Sequence, residues 1–387
     1  MSSPEPMLSK YFHSKGSKLG LPVAANFELT PRCNFNCKMC YIHLSGEEAD
    51  RRGRELTADE WLGIAEAARR RGLIFMLLTG GEPLIRPDFE YIYSELRKMG
   101  IMVSVNSNGS LIDSDRIDFF RKDPPMRINV SLYGTSEETY ERLCGVRQYG
   151  KVISNIKAMK EASLPVKLNV LLGPNNVDDV DGIYRVSDEL GIPIKPTSYL
   201  FPPLRVDGES VGENAARFSP EVAARYEIEC DRRRFTHETF VKRCAAICRG
   251  IRVEQPDEEC DGVPSEGITC RAGRSSFWMT WDGRMMPCGM MTEPVTYPMK
   301  VGFDAAWEEL KAATAKIFMP PECKCCSVRH ACHLCAASAY PETGRFDGTP
   351  RYLCKMVREL TGLYKEEYDM LEKTGKIEKY ASEVVSK

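Results

Sequence analysis

Three closely spaced cysteines are the first feature of this chain that could do chemistry. Cys33, Cys37 and Cys40 lie within eight residues, with three and then two residues between them. Thiolates at this spacing can hold one iron–sulfur cluster, which normally takes four cysteine ligands. The segment supplies three, so one iron would be open to a small molecule with an amine and a carboxylate. Zinc coordination and disulfide bonding are the alternatives for these residues alone.

A glycine-rich turn with one carboxylate follows a predicted strand. The apolar run 74–78 is typical of a buried strand, and Thr79 to Pro83, of sequence TGGEP, follows it directly. Glycines let a ligand approach the backbone closely, and the glutamate, Glu82, could accept hydrogen bonds from an ammonium group. A tight turn without a ligand is the alternative.

The carboxyl-terminal third of the chain is dense in cysteine. Of sixteen cysteines, eleven lie between Cys244 and Cys354. In a reducing cytosol such usage favours metal binding over disulfides. Two apolar arms around Asp282-Gly283 predict a hairpin that ends near Cys288. Paired zinc ribbons are the alternative for this region alone.

The cysteine trio, followed by the aromatic Tyr41, and the glycine-rich turn together resemble the signature of the radical S-adenosylmethionine (SAM) superfamily. The resemblance implies that a [4Fe–4S] cluster on the trio binds SAM and cleaves it reductively to a 5′-deoxyadenosyl radical. That radical would abstract a hydrogen atom from a substrate. The residues that the resemblance assigns to SAM binding are Gly80, Gly81, Glu82, Asn106, Ser131, Arg147 and Tyr41. For the arginine, a solvated helix end is the alternative.

The cysteine-rich end resembles the SPASM domain, which holds two auxiliary [4Fe–4S] clusters. The resemblance gives the first of these the ligands Cys270, Cys288 and Cys335, with Cys260 as the fourth if that site is full. It gives the second the ligands Cys323, Cys326, Cys332 and Cys354. The usual pattern has three residues between the fifth and sixth cysteines, whereas this chain has two. Cys325 is an extra thiol.

Strands alternate with helices over residues 22–200. The predicted strands are 24–29, 74–78, 101–105, 127–132, 166–172 and 192–200. This alternation predicts parallel βαβ units, and an open doubly wound sheet would show the same alternation. The resemblance implies an α/β fold, namely a partial (β/α)6 TIM barrel as the radical SAM core, followed by the cysteine-rich SPASM domain.

We expect five segments along the chain. They are a poorly ordered lead-in at 1–21, the barrel at 22–200, a bridging region at 201–259, the auxiliary-cluster domain at 260–354, and a helix with a charged tail at 355–387. The charged residues 44–56 predict a mobile loop, and residues 220–234 predict a helix. The spacing of Cys244 and Cys248 predicts one inward face of a short helix.

Composition argues against several classes of function. The 387 residues carry a net charge of −2, which gives no reason to expect attraction to nucleic acid or membrane surfaces. No apolar run is long enough for a membrane span, and the polar amino terminus lacks a signal-peptide core. We therefore expect a cytoplasmic protein that binds neither nucleic acid nor membrane.

The resemblance implies an enzyme, and a ribosomally made peptide is its leading expected substrate, which would gain a crosslink or an epimerised residue. An electron donor of the flavodoxin or ferredoxin type would serve it. No winged-helix-sized segment precedes Cys33, so we expect any leader recognition to use another surface or a separate protein. The alternatives are an anaerobic sulfatase maturase, a small-molecule-modifying radical SAM enzyme and a non-catalytic iron–sulfur or zinc scaffold. The sulfatase maturases carry an aspartate where Gly289 stands, and a scaffold has no need of the glycine-rich turn.

Overall fold

The computed structural model describes residues 7–251, 268 and 270–374. Its strands are β1 Ala24–Glu28, β2 Phe75–Thr79, β3 Met102–Ser107, β4 Arg127–Ser131, β5 Val166–Asn169, β6 Ser276–Met279 and β7 Met285–Met286. They form one sheet in the order β5-β4-β3-β2-β1-β6-β7. All neighbours are parallel except β6 and β7, which are antiparallel. The predicted α/β fold with a parallel sheet is confirmed.

Helices follow most strands and cover the outside of the sheet. The helices before the hairpin are α1 Met7–Leu19, α2 Gly46–Arg52, α3 Ala58–Arg70, α4 Phe89–Lys98, α5 Ser114–Lys122, α6 Glu137–Cys144, α7 Tyr149–Glu161, α8 Val180–Leu190, α9 Leu204–Asp207, α10 Pro220–Arg234 and α11 His237–Cys248. Those after it are α12 Pro298–Val301, α13 Phe303–Thr314, α14 Ala336–Thr343 and α15 Arg351–Lys373. The predicted helix at 220–234 is confirmed, and the helix predicted after Cys354 is part of α15.

The two faces of the sheet differ in polarity. Phe27, Leu78 and Val105 are buried on the outer face, within the main hydrophobic core. On the inner face Asn129 lies opposite Asn106 and donates from Nδ2 to its Oδ1 at 2.8 Å. Sheets packed on both faces have hydrophobic side chains on both. The polar inner face therefore lines a lumen, in which a ligand could lie.

The sixth predicted strand is wrong as a regular strand, because residues 192–200 form a single bridge between Thr197 and Leu171. Pro193 and Pro196 lack an amide N–H, so this segment cannot continue the ladder of hydrogen bonds. The core segment thus supplies five regular strands. The opposite edge of the sheet gains β6, which comes from the cysteine-rich end and pairs with β1.

Two segments that we expected to lack regular structure contain helices. In α1, His13 is buried and stacks on Phe75 with ring centroids 5.4 Å apart, which corrects the expected lead-in. The expected loop at 44–56 contains α2, which begins with a capping box formed by Ser45 and Glu48. Both sequences are polar enough to suggest loops, but tertiary packing and capping stabilise them as helices.

The cysteine-rich end shares the hydrophobic core of the barrel. Phe277 on β6 lies 6.4 Å from Phe27 on β1 and 6.0 Å from Trp307 on α13, measured between ring centroids. The predicted hairpin is confirmed as β6 and β7, with Gly283 at a φ of 85° in the turn. Cys244 is buried on α11 as predicted, and Cys248 is partly buried. Within the described ranges, no helix is both long and apolar enough to cross a bilayer.

Candidate active site

The cysteine trio lies in the loop after β1, at the carboxyl end of the parallel strands, where barrels of this kind carry their active sites. The N–H of Phe35 donates to Cys33 Sγ at 3.3 Å, and the N–H of His43 donates to Cys40 Sγ at 3.2 Å. Burial raises the pKa of the Cys33 thiol to about 12, and the nearby Cys37 and Cys40 add to the rise. Because the three thiols interact and two of them receive amide hydrogen bonds, as cluster sulfurs do, the loop fits one cluster with three protein ligands.

The carboxyl end of α6 holds this loop in place. The last carbonyls of a helix lack partners within the helix, and two of them accept hydrogen bonds from the loop. The N–H of Asn36 donates to Cys144 O at 2.8 Å, and that of Lys38 donates to Leu143 O at 3.0 Å. The Cys144 thiol also contacts the Cys37 thiol, and this contact raises the pKa of Cys37. Sequence reasoning did not assign Cys144 to the site, because it stands far from the trio in the chain.

Gly80 and Gly81 are required by the packing of the same loop. A Cβ on Gly80 would lie 2.5 Å from the Thr30 carbonyl oxygen, and one on Gly81 would lie 2.2 Å from that of Arg32. The N–H groups of Gly81 and Glu82 donate to those two carbonyls at 2.8 and 2.9 Å. The glycine-rich turn therefore positions the cysteine loop, a role that the sequence did not indicate.

Glu82 is buried where the turn meets the end of β3. Its carboxylate accepts hydrogen bonds from the N–H of Asn108 at 2.7 Å, the N–H of Leu84 at 3.1 Å and the hydroxyl of Ser107 at 3.1 Å. Burial raises the pKa of Glu82 to about 7, and these hydrogen bonds act against the rise. The carboxylate thus joins β3 to the turn, and its contact with an ammonium group stays a prediction.

Asn108 is the polar side chain that reaches the trio itself. Its Nδ2 lies 3.8 Å from Cys33 Sγ and donates to Asn34 Oδ1 at 2.8 Å. Ser110 joins the two asparagines, since it donates to Asn108 Oδ1 at 2.7 Å and accepts from Asn34 Nδ2 at 2.9 Å. Asn106, two residues earlier, pairs with Asn129 inside the lumen, and its contact with SAM stays a prediction.

Ser131 lies at the end of β4, close to the trio. Its hydroxyl lies near the phenol of Tyr133 and lowers the pKa of that phenol, and the charge of Cys37 raises it. Burial is the main cause of the raised pKa of Tyr133. Ser131 therefore lies near the cysteine loop, together with Tyr133, which the sequence did not indicate.

Arg147 lies at the protein surface. Its guanidinium pairs with Glu138 at 2.6 Å and Glu141 at 2.8 Å, and half of its side chain is exposed. Solvent screens such surface pairs, so they contribute little to stability. A contact between Arg147 and the SAM carboxylate stays a prediction.

Tyr41 lies between the first cysteine group and the cysteine-rich end. Burial raises the pKa of its phenol, and the charges of Arg205, Glu28, Cys40 and Cys288 all reach it. The side chain is therefore a neighbour of both cysteine groups. Its predicted contact with SAM stays a prediction.

The auxiliary cysteines form two separate groups. Cys288 and Cys270 interact electrostatically with Cys335, and burial raises the pKa of Cys288 to about 12. The second group lines a small cavity of about 20 Å³ beside α15; its members are Cys323, Cys326, Cys332 and Cys354. The exposed Cys325 lies outside this lining, and Cys260 lies outside the described residues. Each group matches a ligand set that the SPASM resemblance implied.

The donor set fits clusters better than disulfides. All cysteines in the described ranges are free thiols. In the same ranges, no group of three or more His, Cys, Asp or Glu side chains is arranged to hold a single metal ion. A [4Fe–4S] cluster binds one thiolate at each of its irons, so its ligands stand further apart than those of one ion.

The sequence is similar to known radical SAM proteins. The family model described as the Radical SAM superfamily matches residues 27–186. The AdoMet-dependent heme synthase of Methanosarcina barkeri is 24% identical over 84% of this chain and 94% of its own. The PqqA peptide cyclase of Streptomyces rochei is 26% identical over 84% of this chain and 87% of its own.

Solved structures share the fold over most of the chain. SuiB of Streptococcus suis bound to S-adenosylmethionine has a TM-score of 0.63 at 15% identity, covering 90% of this chain and 79% of its own. The native anSMEcpe with bound AdoMet has a TM-score of 0.60 at 17% identity, covering 91% of this chain and 100% of its own.

A probable GTP 3′,8-cyclase of Aeropyrum pernix is 31% identical over 67% of this chain and 71% of its own. The chain therefore belongs to the radical SAM superfamily, a family of enzymes that use a [4Fe–4S] cluster and SAM.

Proposed function

We propose that this enzyme modifies a ribosomally made peptide, by crosslinking or epimerisation, and that it carries two auxiliary [4Fe–4S] clusters in a SPASM domain. The observation that carries the proposal is the separation of the later cysteines into two groups, one beside Tyr41 and one beneath α15. Among the relatives, a PqqA peptide cyclase and SuiB bound to the precursor peptide SuiA support the peptide.

The chain's own residues would position the cofactors and keep water away from them. Cys33, Cys37 and Cys40 would hold the first cluster, and the backbone of Gly80 and Gly81 would lie beside SAM. When bound, this pair of cofactors supplies a 5′-deoxyadenosyl radical for hydrogen-atom abstraction. The parallel sheet and its helices enclose the lumen and so limit side reactions with solvent. An electron donor of the flavodoxin or ferredoxin type belongs to the same proposal.

A cavity beside the auxiliary site suits part of a peptide. It measures about 350 Å³, lies between residues 195–201 and helices α10, α11 and α15, and reaches Cys335. Its apolar wall includes Leu353, Met356, Val357 and Leu360. Glu227 lines the cavity, and its Oε1 accepts a hydrogen bond from the N–H of Ser198 at 2.9 Å. Apolar cavities of this size with a few polar groups are typical of ligand sites.

A small-molecule substrate is the second candidate. It is favoured by the relative named AdoMet-dependent heme synthase, which aligns over 94% of its own length. The sulfatase maturase alternative has less support, because a Cβ on Gly289 would lie 2.8 Å from the ring of Trp278. That crowding leaves no room there for the aspartate side chain.

The test uses anaerobically reconstituted full-length protein with dithionite and SAM. We expect about twelve irons per chain, four for each of three clusters, and 5′-deoxyadenosine by mass spectrometry. A synthetic precursor-peptide library, a porphyrin and GTP are then offered separately. A peptide that loses two hydrogens, or takes up deuterium at one Cα, supports the proposal. Conversion of the porphyrin or GTP and of no peptide would contradict it.

A matched pair of variants on α15 tests the cavity. Leu360→Trp fills the cavity and should lower peptide conversion at least about tenfold, since small displacements of a substrate are costly. Without peptide, its formation of 5′-deoxyadenosine should stay unchanged. Met370→Trp, at an exposed position of the same helix, should convert peptide normally. Equal conversion by both variants would remove the cavity from the proposal.

A further inference from the structure

A buried ion pair lies between the first cysteine group and the proposed auxiliary site. Glu28, the last residue of β1, has no exposed side-chain surface, and Arg205 on α9 has 7% of its side chain exposed. The guanidinium donates to both carboxylate oxygens of Glu28, at 2.6 Å to Oε1. The indole of Trp278 on β6 donates to Oε2 at 2.9 Å. The pair therefore joins β1, the bridging region and the hairpin.

Stability alone does not account for this pair. Removing two charges from water costs several kcal/mol for each ion, and well-packed apolar residues often replace such pairs without loss. The sequence instead places two charges, 177 positions apart, in the interior. Their surroundings suggest an electrostatic role.

The pair has a fixed orientation. Arg205 Nη1 donates to the carbonyl of Gly289 at 2.9 Å, so the positive end is held against the residue after Cys288. The carboxylate ends β1, whose chain runs directly into the loop of the first cysteine group. The negative end of the pair therefore lies on the side of the first cysteine group, and the positive end lies on the side of Cys288.

Helix α9 is fixed on both sides, which keeps this orientation. Arg52 on α2 donates to the carbonyl of Val206, next to Arg205. The side chain of Val206 packs against a cluster of Leu44, Ala49 and Trp281, which come from the first loop and from the hairpin. The pair cannot rotate without breaking these contacts.

We propose that the Glu28–Arg205 pair sets the order of the reduction potentials of the two neighbouring clusters. The carboxylate disfavours an electron on the cluster of Cys33, Cys37 and Cys40. The guanidinium favours an electron on the auxiliary cluster that includes Cys288. Local charge and hydrogen bonds set such potentials, and water screens buried charges little. The inference rests on the proposed function, because it requires that auxiliary cluster.

The equilibrium concerned is the transfer of one electron between the two clusters. The first cluster is oxidised from its +1 to its +2 state, and the auxiliary cluster is reduced from +2 to +1. No proton or bond changes in this exchange. The ion pair shifts the equilibrium towards the reduced auxiliary cluster.

The test is a redox titration followed by electron paramagnetic resonance, on holoenzyme and on the double variant Glu28→Gln/Arg205→Gln. The variant removes both charges; Glu28→Gln keeps the shape of its side chain, and Arg205→Gln keeps an amide donor on a shorter side chain. We expect the ratio of reduced auxiliary cluster to reduced first cluster to fall at least tenfold, which is about 59 mV for a one-electron couple. Trp278→Phe removes the neutral indole donor, and its change should be smaller than threefold.

Equal potential gaps in the wild type and in the double variant, at full iron content, would overturn the inference. If the double variant binds less iron, Arg205→Lys decides, since it keeps the charge. The inference is supported if the ratio of reduced auxiliary cluster to reduced first cluster in Arg205→Lys stays within threefold of the wild-type ratio. It is overturned if this ratio falls as far as in the double variant. A wild-type protein that lacks the auxiliary signal altogether would instead overturn the proposed function.

Discussion

The two cysteine regions of this molecule are held in different ways. The first trio occupies one short loop, which donates hydrogen bonds to α6 and accepts them from the glycine-rich turn. The auxiliary cysteines are spread from Cys270 to Cys354, and the second group lies partly in the short 3-10 turns Pro321–Cys325 and Arg329–Ala331. The barrel therefore shapes the first site in advance. The second region has little regular structure around its cysteines, so we expect the proposed clusters to stabilise it.

The two cysteine regions therefore need different kinds of structural support. A loop that leaves one iron open for a ligand needs rigid support, because the open position must keep its geometry. An auxiliary cluster with a full set of thiolates can itself act as the crosslink of a small region. Loss of metal should thus have different consequences at the two ends.

The largest expected effect is that of Cys37→Ala. This variant removes one of the three proposed ligands of the first cluster and should abolish 5′-deoxyadenosine formation, while the fold and the irons of the proposed auxiliary clusters should persist. Iron analysis and mass spectrometry of the reconstituted protein measure both. Cys248→Ala on α11 is the control and should keep activity. Turnover by Cys37→Ala would contradict the assignment of the first site.

The second effect concerns the stability of the auxiliary region. Cys326→Ala should lose about four irons and expose the segment around α14 to limited proteolysis, because a cluster that crosslinks it is gone. Cys325→Ala, at the adjacent exposed thiol, should lose none. Equal iron loss in the two variants would show that the second cysteine group is assigned wrongly.

The third effect is on the support of the first loop. In Gly81→Ala, the new methyl group meets the Arg32 carbonyl, and we expect a loss of about 1–3 kcal/mol in the free energy of unfolding together with weaker SAM binding. Denaturant titration and calorimetry measure these. Gly63→Ala, with open space around its Cβ in α3, should gain about 0.5–1 kcal/mol. An unchanged Gly81→Ala protein would remove the proposed support.

The smallest effect is a pH dependence of the barrel that involves no metal. Burial lowers the pKa of His13 to about 4, and the charge of Arg271 adds to this. The unfolded chain then binds more protons than the folded one between about pH 6.5 and pH 4, so stability falls as the pH falls through this range. Relative to His13→Leu, the wild type should lose on the order of 2 kcal/mol. If the free energy of unfolding fell equally in the two proteins over this pH range, the prediction would be contradicted.

Local patterns predicted much of the structure. The helix Pro220–Arg234 follows from short-range rules and is confirmed. The cysteine trio and the glycine-rich turn likewise showed where the first site lies. Pro193 and Pro196 were visible as breakers, but the βα alternation led us to expect a strand there.

Long-range features could not be predicted from one sequence. The pairing of β6 with β1 and the contact of Arg205 with Glu28 depend on how distant segments meet, and periodicity carries no such information. Arg205 stands in a bridge with little hydrophobic pattern, so nothing local marks it as buried. The same holds for Cys144, whose neighbour Cys37 lies on another loop.

The pairing of β6 with β1 has a consequence for dividing the protein. A chain shortened before Ser276 would leave without partners the backbone N–H and C=O groups of β1 that face β6, whereas those that face β2 would stay paired. An exposed edge strand with unpaired backbone groups can pair with strands of other molecules. Residues 1–275 produced alone should therefore self-associate and precipitate, and addition of the missing hairpin as a separate peptide should suppress this.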